Sequence, residues 1–227
     1  MRDEDKKVFS DFFQGNYREY GYDPRSLGWT VGTQDARFAV LASLGDLDGC
    51  SVLDVGCGFG DLYKFLKEQG IHVEYTGIDL SPEFIKVARE HHPEARFVVG
   101  DFEAEGIDGQ YDWVFECGIF NRKVSDQRLF IELTLRQMYD VAKRGVAADF
   151  LGPKPVDVVG HLYHADPGDM LKFCKKLSPQ VVLRWDYKPE EFCVYIYKDS
   201  EVGSKSVLST ALAKIRHFEW RKGRSWG

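Results

Sequence analysis

The stretch VLDVGCGFGDL at residues 52–62 combines acidic residues with three closely spaced glycines. Asp54 lies within a short aliphatic run, and Gly56, Gly58 and Gly60 follow it in G-x-G-x-G spacing. Glycine adopts backbone angles that other residues avoid and lets a ligand approach the main chain closely. A strand, such a turn and then a helix form the geometry with which open α/β sheets bind nucleotides. The stretch therefore predicts a nucleotide site.

The spacing of these glycines differs from that of a dinucleotide fingerprint. In G-x-G-x-x-G the third small residue comes five positions after the first, and here that position is Asp61. Asp79, in TGIDLS, ends the next strand-like run, where a carboxylate can accept both hydroxyls of a ribose. The pattern departs from the dehydrogenase fingerprint, so a dehydrogenase is a distant alternative, and it leaves open which nucleotide binds here.

Predicted strands and helices alternate along most of the chain. Strand-like runs lie at residues 51–55, 73–79, 96–99, 111–116, 145–150, 181–187 and 192–197. Helical patterns lie at residues 3–20, 34–44, 61–69, 127–142 and 166–177, and Ser81-Pro82-Glu83 begins a further helix. This alternation predicts a parallel sheet with helices on both faces. The last two strands are joined by a short turn, so they must pair antiparallel.

We predict a single domain, because no repeat, low-complexity tract or linker divides the 227 residues. Residues 1–45 would form N-terminal lid helices, and residues 50–198 would form the core sheet. Residues 199–227 would form a C-terminal helix, with apolar residues at helical spacing, and a basic tail.

The composition excludes several classes of protein. Apolar residues make up 44% and charged residues 29%, which is typical of a soluble globular protein. No apolar run is long enough for a membrane span, and the charged start MRDEDKKVFS is unlike a signal peptide, so we expect a cytoplasmic protein. The 5 cysteines form no C-x-x-C pair, so neither a disulfide framework nor a metal site is predicted.

Four motifs in order resemble those of the class I S-adenosylmethionine-dependent methyltransferases. VLDVGCGFG resembles motif I, GIDLS the acid of the second strand, VVGDFE the turn after the third strand, and YDWVFECGIF the fourth strand. The resemblance covers residues 34–198, including the terminal hairpin. It implies a Rossmann-like doubly wound α/β sheet, mostly parallel with a terminal antiparallel hairpin strand. It also implies S-adenosyl-L-methionine as the cofactor and S-adenosyl-L-homocysteine as its product.

Carried over by position, the resemblance implies contacts to the methionine end of the cofactor. The turn at Gly56, Cys57 and Gly58 would lie against the methionine and ribose parts. Asp54 would bind the positively charged amino group, directly or through water. The remaining contacts would be made by the main chain of Glu116 and Cys117 and by the guanidinium of Arg37 on the cofactor carboxylate. For Arg37, an ordinary solvent-facing arginine is the open alternative.

The resemblance also implies contacts to the ribose and adenine. Asp79 would accept both ribose hydroxyls, and Leu80 would lie against the adenine. Asp101 would accept the exocyclic amine, and the backbone amide of Phe102 would reach a ring nitrogen. Taken singly, Asp79 could instead serve only as a helix cap.

A general base is needed only where the acceptor must lose a proton. The sequence GHLYHAD follows the fifth strand, so His161, Tyr163 and His164 are expected at the carboxyl edge of the sheet, where open α/β sheets bind ligands. Histidine titrates near neutral pH, which suits a hydroxyl or amine acceptor. A hydrogen-bonded loop histidine is the alternative for each.

The acceptor is expected to be a small molecule methylated on oxygen or nitrogen. The Asn/Asp-Pro-Pro-aromatic stretch of enzymes that methylate base or amide nitrogens is absent, since this chain has ECGI at residues 116–119. The net charge of −6 argues against nucleic acid. Asn121, Arg122 and Lys123 could hold an anionic substrate, or could simply be solvated. An RNA or protein methyltransferase using the basic tail and a catalytically silent cofactor-binding homologue remain alternatives.

Overall fold

The structure, a computed structural model, describes residues 1–30, 32–154 and 160–198. The helices are α1 (Asp3–Tyr20), α2 (Asp35–Ala42), α3 (Asp61–Glu68), α4 (Pro82–His91), α5 (Phe102–Glu105), α6 (Gln127–Val141) and α7 (Pro167–Leu177). The strands are β1 (Ser51–Val55), β2 (Glu74–Asp79), β3 (Arg96–Val99), β4 (Tyr111–Glu116), β5 (Ala142–Leu151), β6 (Val181–Lys188) and β7 (Glu191–Tyr197). The helix predicted from Leu208 to Phe218 and the basic tail lie outside the described residues.

The strands form one sheet in the order β3-β2-β1-β4-β5-β7-β6. Strands β1 to β5 pair parallel, whereas β7 pairs antiparallel with both β5 and β6. The predicted mostly parallel sheet with a terminal antiparallel hairpin is therefore confirmed. The hairpin folds back so that β7 lies inside the sheet and β6 forms its edge, an order that the turn between the two strands does not specify.

Two hydrophobic cores cover the two faces of the sheet. On one face α5, α6 and α7 pack against residues such as Leu53, Val114 and Val146. On the other face α2, α3 and α4 pack against residues such as Val52, Tyr75 and Phe115. Alternate residues of β1 thus point into opposite cores, which explains why this strand is an almost continuous apolar run.

The strand order reverses beside β1, and this reversal makes a crevice at the carboxyl ends of the strands. The chain adds β2 and β3 on one side of β1 and then crosses over to add β4 on the other side. Val55 is in register with Ile78 of β2 and with Glu116 of β4, so three strands end at one level. Every motif that follows a strand end is therefore brought to the same edge.

The N-terminal helix α1 is held over this edge by aromatic contacts. Phe13 and Tyr17 of α1 pack against a small cluster that includes Phe59 and Phe84. The ring centroids of Phe13 and Phe84 lie 5.9 Å apart with an edge-to-face geometry, which is favourable for aromatic pairs. None of the helices in the described part of the chain is both long enough and apolar enough to cross a bilayer.

Two leucines on α6 test which face of that helix packs against the sheet. Leu135 is 0% exposed and Leu129 is 55% exposed. We expect Leu135→Ala to lower the free energy of unfolding by about 2–5 kcal/mol, because it leaves a cavity in the core. The matched Leu129→Ala should change it by less than about 0.5 kcal/mol. Urea unfolding followed by circular dichroism measures both, and equal losses would contradict the described packing.

Candidate active site

A cavity opens at the carboxyl ends of β1, β2, β3 and β4, beneath α1. Most of the residues predicted to bind a cofactor line its wall: Asp54, Gly56, Cys57, Gly58, Asp79, Leu80, Asp101, Phe102 and Cys117. Arg37, Glu116 and the three residues of the GHLYHAD loop are not in the wall. The structure therefore gathers nine of the fourteen predicted site residues around one space.

The turn after β1 requires glycine for two separate reasons. Gly56 has a φ of 76° and Gly58 a φ of 54°, a left-handed conformation that is costly for residues with a side chain. A Cβ atom at Gly56 would also lie 2.1 Å from Cγ2 of Ile119, and one at Gly58 would lie 3.0 Å from the methyl groups of Leu27. The bare backbone of this turn therefore faces the cavity between close neighbours.

Asp54 is buried beneath this turn, where its carboxylate contacts the neighbouring strand. The hydroxyl of Tyr75 donates a 2.5 Å hydrogen bond to Oδ2 of Asp54. Burial raises the pKa of Asp54 to about 7, although the Tyr75 hydrogen bond acts to lower it. A cation arriving beside this carboxyl would favour its ionised form. Asp54 thus provides a buried site for a positive group.

Asp79 joins the end of β2 to the glycine turn. Its Oδ2 accepts a 2.9 Å hydrogen bond from the N–H of Gly58, and its Oδ1 accepts a 2.8 Å bond from the N–H of Ser81. Burial raises the pKa of Asp79, while these two backbone hydrogen bonds lower it. Each carboxylate oxygen has capacity for a further hydrogen bond, so Asp79 can still accept hydroxyl groups of a ligand.

Asp101, at the end of β3, is held by the helix that covers the cavity. Its Oδ2 lies 2.6 Å from Nζ of Lys6 in α1, and its Oδ1 accepts the N–H of Ala104 at the start of α5. The role of Lys6 was not predicted from the sequence. Its position three residues before Phe9 and seven before Phe13 places it on the buried face of α1, and this spacing is the signal that could have identified it.

Glu116 lies behind the cavity wall, where it supports the turn that follows β4. Its side chain is 0% exposed, and it accepts hydrogen bonds from the N–H groups of Asp149 at 2.8 Å and Ile119 at 3.2 Å. Burial raises the pKa of Glu116 well above its usual range, and the nearby Asp149 raises it further. The carboxyl group therefore positions the Cys117 and Gly118 backbone rather than facing the cavity.

Arg37 does not line the cavity. It lies beside the cavity in a buried cluster of charged side chains. Its guanidinium pairs with Glu191, and its Nε lies 3.8 Å from Oδ2 of Asp149. It also stacks over the indole of Trp29, with 4.3 Å between Cζ and the ring centroid, and Trp29 lines the cavity. The structure therefore connects Arg37 to the cavity through Trp29, and direct contact with a ligand carboxylate stays a prediction.

The GHLYHAD loop packs beside the cavity, on the segment that follows β4. The N–H of Lys123 bonds to the carbonyl of His161 at 3.0 Å, and Nδ1 of His164 lies 2.8 Å from the carbonyl oxygen of Gly152. Tyr163 is half-buried against the core beneath α6 and α7. The ring of exposed His161 lies 6.5 Å, centroid to centroid, from Phe12 of α1. None of these three predicted catalytic residues reaches the wall.

The buried charges of this region are predominantly acidic. Among the described residues, the buried carboxyl groups outnumber the single buried arginine, Arg37; they belong to Asp54, Glu116, Asp149 and Glu191. Burial raises the pKa of Asp149 to about 7, as it does for Asp54, although the nearby Arg37 acts to lower the pKa of Asp149. Beside Asp54, at the β1 end of the cavity, such surroundings favour a cationic group over an anionic one.

Comparison with known proteins places this chain among methyltransferases. A family described as "Methyltransferase domain" matches residues 52–145. The "Putative methyltransferase Rv1506c" of Mycobacterium tuberculosis is 32% identical over 163 residues, covering 67% of this chain and 96% of the relative. The ubiquinone biosynthesis O-methyltransferase of Xylella fastidiosa is 52% identical over 62 residues, covering 27% of this chain and 24% of that protein.

Solved structures share the fold at lower sequence identity. Magnesium protoporphyrin IX methyltransferase from Synechocystis, with bound SAH, has a TM-score of 0.63 at 19% identity and covers 86% of this chain and 100% of its own. The 1,6-didemethyltoxoflavin-N1-methyltransferase of Burkholderia thailandensis has a TM-score of 0.62 at 18% identity, covering 86% and 89%. At this identity the likeness shows a common architecture.

Two glycines with the same backbone conformation test the close packing of the turn. Gly56 and Gly70 have φ values of 76° and 71°, but a Cβ at Gly70 would meet nothing within 4 Å. Both Gly→Ala variants should lose about 1–2 kcal/mol from the left-handed conformation. Gly56→Ala should lose a further ~1–3 kcal/mol, because it must displace the stiff side chain of Ile119. Equal urea midpoints for the two variants would contradict this geometry.

Proposed function

This chain belongs to the class I S-adenosylmethionine-dependent methyltransferases, and we propose that it methylates an oxygen or nitrogen atom of a small molecule. One observation carries the proposal: the bare turn at Gly56 and Gly58, buried Asp54 and half-buried Asp79 meet around one cavity. Membership of this family favours a catalytically active enzyme over a homologue that binds the cofactor without turnover.

The residues present fit the cofactor in type and order. The acids at the ends of β1, β2 and β3 are Asp54, Asp79 and Asp101, and they follow one another across adjacent strands. In that order they would hold the amino group, the ribose hydroxyls and the adenine amine. The acidic surroundings suit a ligand that carries both an ammonium and a sulfonium charge. Leu80 and Phe102 add apolar surface where the adenine is expected.

When bound, S-adenosyl-L-methionine supplies an electrophilic methyl group. The work left to this chain is to orient the acceptor in line with that methyl group and to exclude water, and positioning can supply about 7–11 kcal/mol of the barrier. Helix α1 supports both tasks, because Phe9 and Phe13 form part of the cavity wall beneath it. The Lys6–Asp101 ion pair fastens the same helix across the cavity.

The cover formed by α1 supports a small acceptor, because a polymer would have to displace this helix to enter. The relatives include an O-methyltransferase of ubiquinone biosynthesis and an N1-methyltransferase of a didemethyltoxoflavin. Those names cover both acceptor atoms, so the proposal includes oxygen and nitrogen.

The product of the reaction tests this function directly. The protein is incubated with isotopically labelled S-adenosyl-L-methionine and a low-molecular-weight cell extract, and mass spectrometry identifies the species that gains the label. We expect one or a few small molecules to be labelled by the unmodified protein and none in its absence. Label found only on RNA or protein would contradict the small-molecule proposal, and no label anywhere would contradict methyl transfer.

His161 is the proposed general base, since of the three loop residues its ring is the one adjoining α1. If the acceptor must lose a proton, His161→Ala should lower kcat by about 10²–10⁴-fold while S-adenosyl-L-homocysteine affinity is unchanged. His164→Ala is the matched control, because that ring is already engaged by the carbonyl of Gly152. Single-turnover rates with the identified acceptor provide the comparison. A full rate in His161→Ala would show that this assignment is wrong.

The raised pKa of Asp54 makes a pH prediction for cofactor binding. Because this pKa is about 7, the carboxyl group is ionised above that pH and increasingly neutral below it. Binding of an ammonium group needs the ionised form, so affinity for S-adenosyl-L-homocysteine should fall by up to about tenfold per unit as pH drops below 7. Calorimetry at several pH values measures the change.

The control for this pH prediction is Asp54→Asn. This variant should bind more weakly at pH 8 and should lose the pH dependence. Tyr75→Phe should shift the pH dependence upward, because the hydrogen bond from Tyr75 lowers the pKa of Asp54. A flat profile in the unmodified protein between pH 5.5 and pH 8, values chosen about 1.5 units below and one unit above the expected pKa, would refute the role given to Asp54.

A further inference from the structure

Arg122 contributes a positive charge to a part of the cavity wall that no proposed cofactor contact uses. It follows the short helical turn Ile119–Asn121 after β4, and its side chain is half-buried. The guanidinium stacks on the ring of Phe12 in α1, with Cζ 3.6 Å from the ring centroid, and lies 5.9 Å from the centroid of Phe9. Arg122 is therefore held where α1 meets the β4 edge of the cavity.

This guanidinium has no acidic partner among the described residues. The other cation of the wall side chains, Lys6, pairs with Asp101, and the neighbouring Arg37 pairs with Glu191. For Arg122 the contacts are the two aromatic rings, and no hydrogen bond from its guanidinium to another described residue is present. Burial without a compensating carboxylate also lowers the pKa of Arg122. An anion that binds beside the half-buried Arg122 guanidinium would therefore stabilise its positive charge.

The contact with Phe12 leaves N–H donors of the Arg122 guanidinium available to bind such an anion. A guanidinium is planar, and its five N–H donors point outward in that plane. Stacking on Phe12 occupies a face of the plane and leaves its edge, which is the fork that matches a carboxylate through two parallel hydrogen bonds. The aromatic contact also limits the rotamers of Arg122, so less side-chain freedom is lost on binding.

Several apolar side chains share the cavity wall with Arg122, alongside the polar side chains of Ser10, Gln14 and Thr134. Phe9, Phe13, Ile119 and Phe130 line the cavity on this side. Phe130 is 5% exposed and belongs to the core, so it provides a fixed surface. The combination of one charged fork and several apolar side chains suits a compact, largely apolar molecule with one anionic end.

We propose that the methyl acceptor is a small apolar molecule with a carboxylate, and that Arg122 anchors this carboxylate while the methylated atom lies elsewhere on the molecule. The inference rests on the proposed function, since it assigns the substrate class of the same site. A carboxylate fits better than a phosphate, because Arg122 is the one side-chain cation of the described cavity wall without an acidic partner, and one cation balances one negative charge. The anchor orients the acceptor, so Arg122 determines specificity.

The experiment compares three probes that share one phenyl ring. Benzoate carries the proposed carboxylate, benzamide is its neutral counterpart, and phenyl phosphate carries the alternative anion. Ligand-detected NMR measures the dissociation constant of each probe with the full chain, first alone and then saturated with S-adenosyl-L-homocysteine. The variants are Arg122→Gln, Arg122→Lys and Lys123→Gln. Lys123 is the matched control, because it is adjacent and exposed and does not line the cavity.

We expect benzoate to bind the unmodified protein more tightly than benzamide or phenyl phosphate. Arg122→Gln should weaken benzoate by at least about tenfold, because charge-assisted hydrogen bonds are lost, and should leave benzamide unchanged. Arg122→Lys should restore part of the affinity, and Lys123→Gln should have no effect. This selective loss would not arise from a purely structural role of Arg122.

Four outcomes would overturn the inference: no benzoate binding to the unmodified protein, equal binding of benzamide, tighter binding of phenyl phosphate, or an equal loss in Lys123→Gln. Titration with S-adenosyl-L-homocysteine on every variant separates this failure from failure of the proposed function. If S-adenosyl-L-homocysteine binds but benzoate does not discriminate Arg122, only the carboxylate anchor is wrong. If S-adenosyl-L-homocysteine does not bind the unmodified protein, the proposed function fails.

Discussion

One buried and one half-buried carboxyl group beside a turn without side chains are the main physical constraint on this structure. Removing a carboxylate from water is costly unless hydrogen bonds or cations compensate. Tyr75 compensates Asp54 in part, and the N–H groups of Gly58 and Ser81 compensate Asp79 in part. A ligand with a positive tail and two hydroxyls would supply the missing partners. The glycines let that ligand reach the backbone.

The surrounding elements hold this arrangement from three sides. The sheet sets the common level of the strand ends, because β1 is in register with both β2 and β4. Behind the wall, Glu116 fixes the turn after β4, and Arg37 connects the β5 and β7 acids to Trp29. From above, α1 closes the cavity with its aromatic face and with Lys6. The proposed cofactor site and the proposed acceptor site thus have different neighbours of one turn as their walls.

Much of the fold could be predicted from the sequence, because its determinants are local. The bounds of β1 and β4 and the Ser81 cap follow from apolar runs and from capping chemistry within a few residues. The start of β5 was misplaced at Gly145, because α6 passes into the strand at Ala142 without a turn residue. The placement of β7 inside the sheet was also not specified, since neighbouring strands in space need not be neighbours in sequence.

The contacts of the site were less accessible, because they join distant segments. Asp54 and Asp79 were located by their motifs, but the Tyr75 hydrogen bond to Asp54 depends on the register of two strands. The partners of Arg37 lie more than one hundred residues away in sequence, so its buried ion pair could not be read from its own helix. Arg122 could be predicted from the sequence as a possible anion ligand, but only the three-dimensional contacts reveal that no described residue provides it with an acidic partner.

The most direct test of the central claim is a calorimetric titration with S-adenosyl-L-homocysteine on the protein, on Asp79→Ala and on the surface control Asp108→Ala. We expect saturable binding at one site per chain for the protein and for Asp108→Ala. We expect a loss of roughly 100-fold or more for Asp79→Ala, because two hydrogen bonds to a charged acceptor are removed. Absence of binding heat with folded protein, or undiminished affinity in Asp79→Ala, would contradict the account.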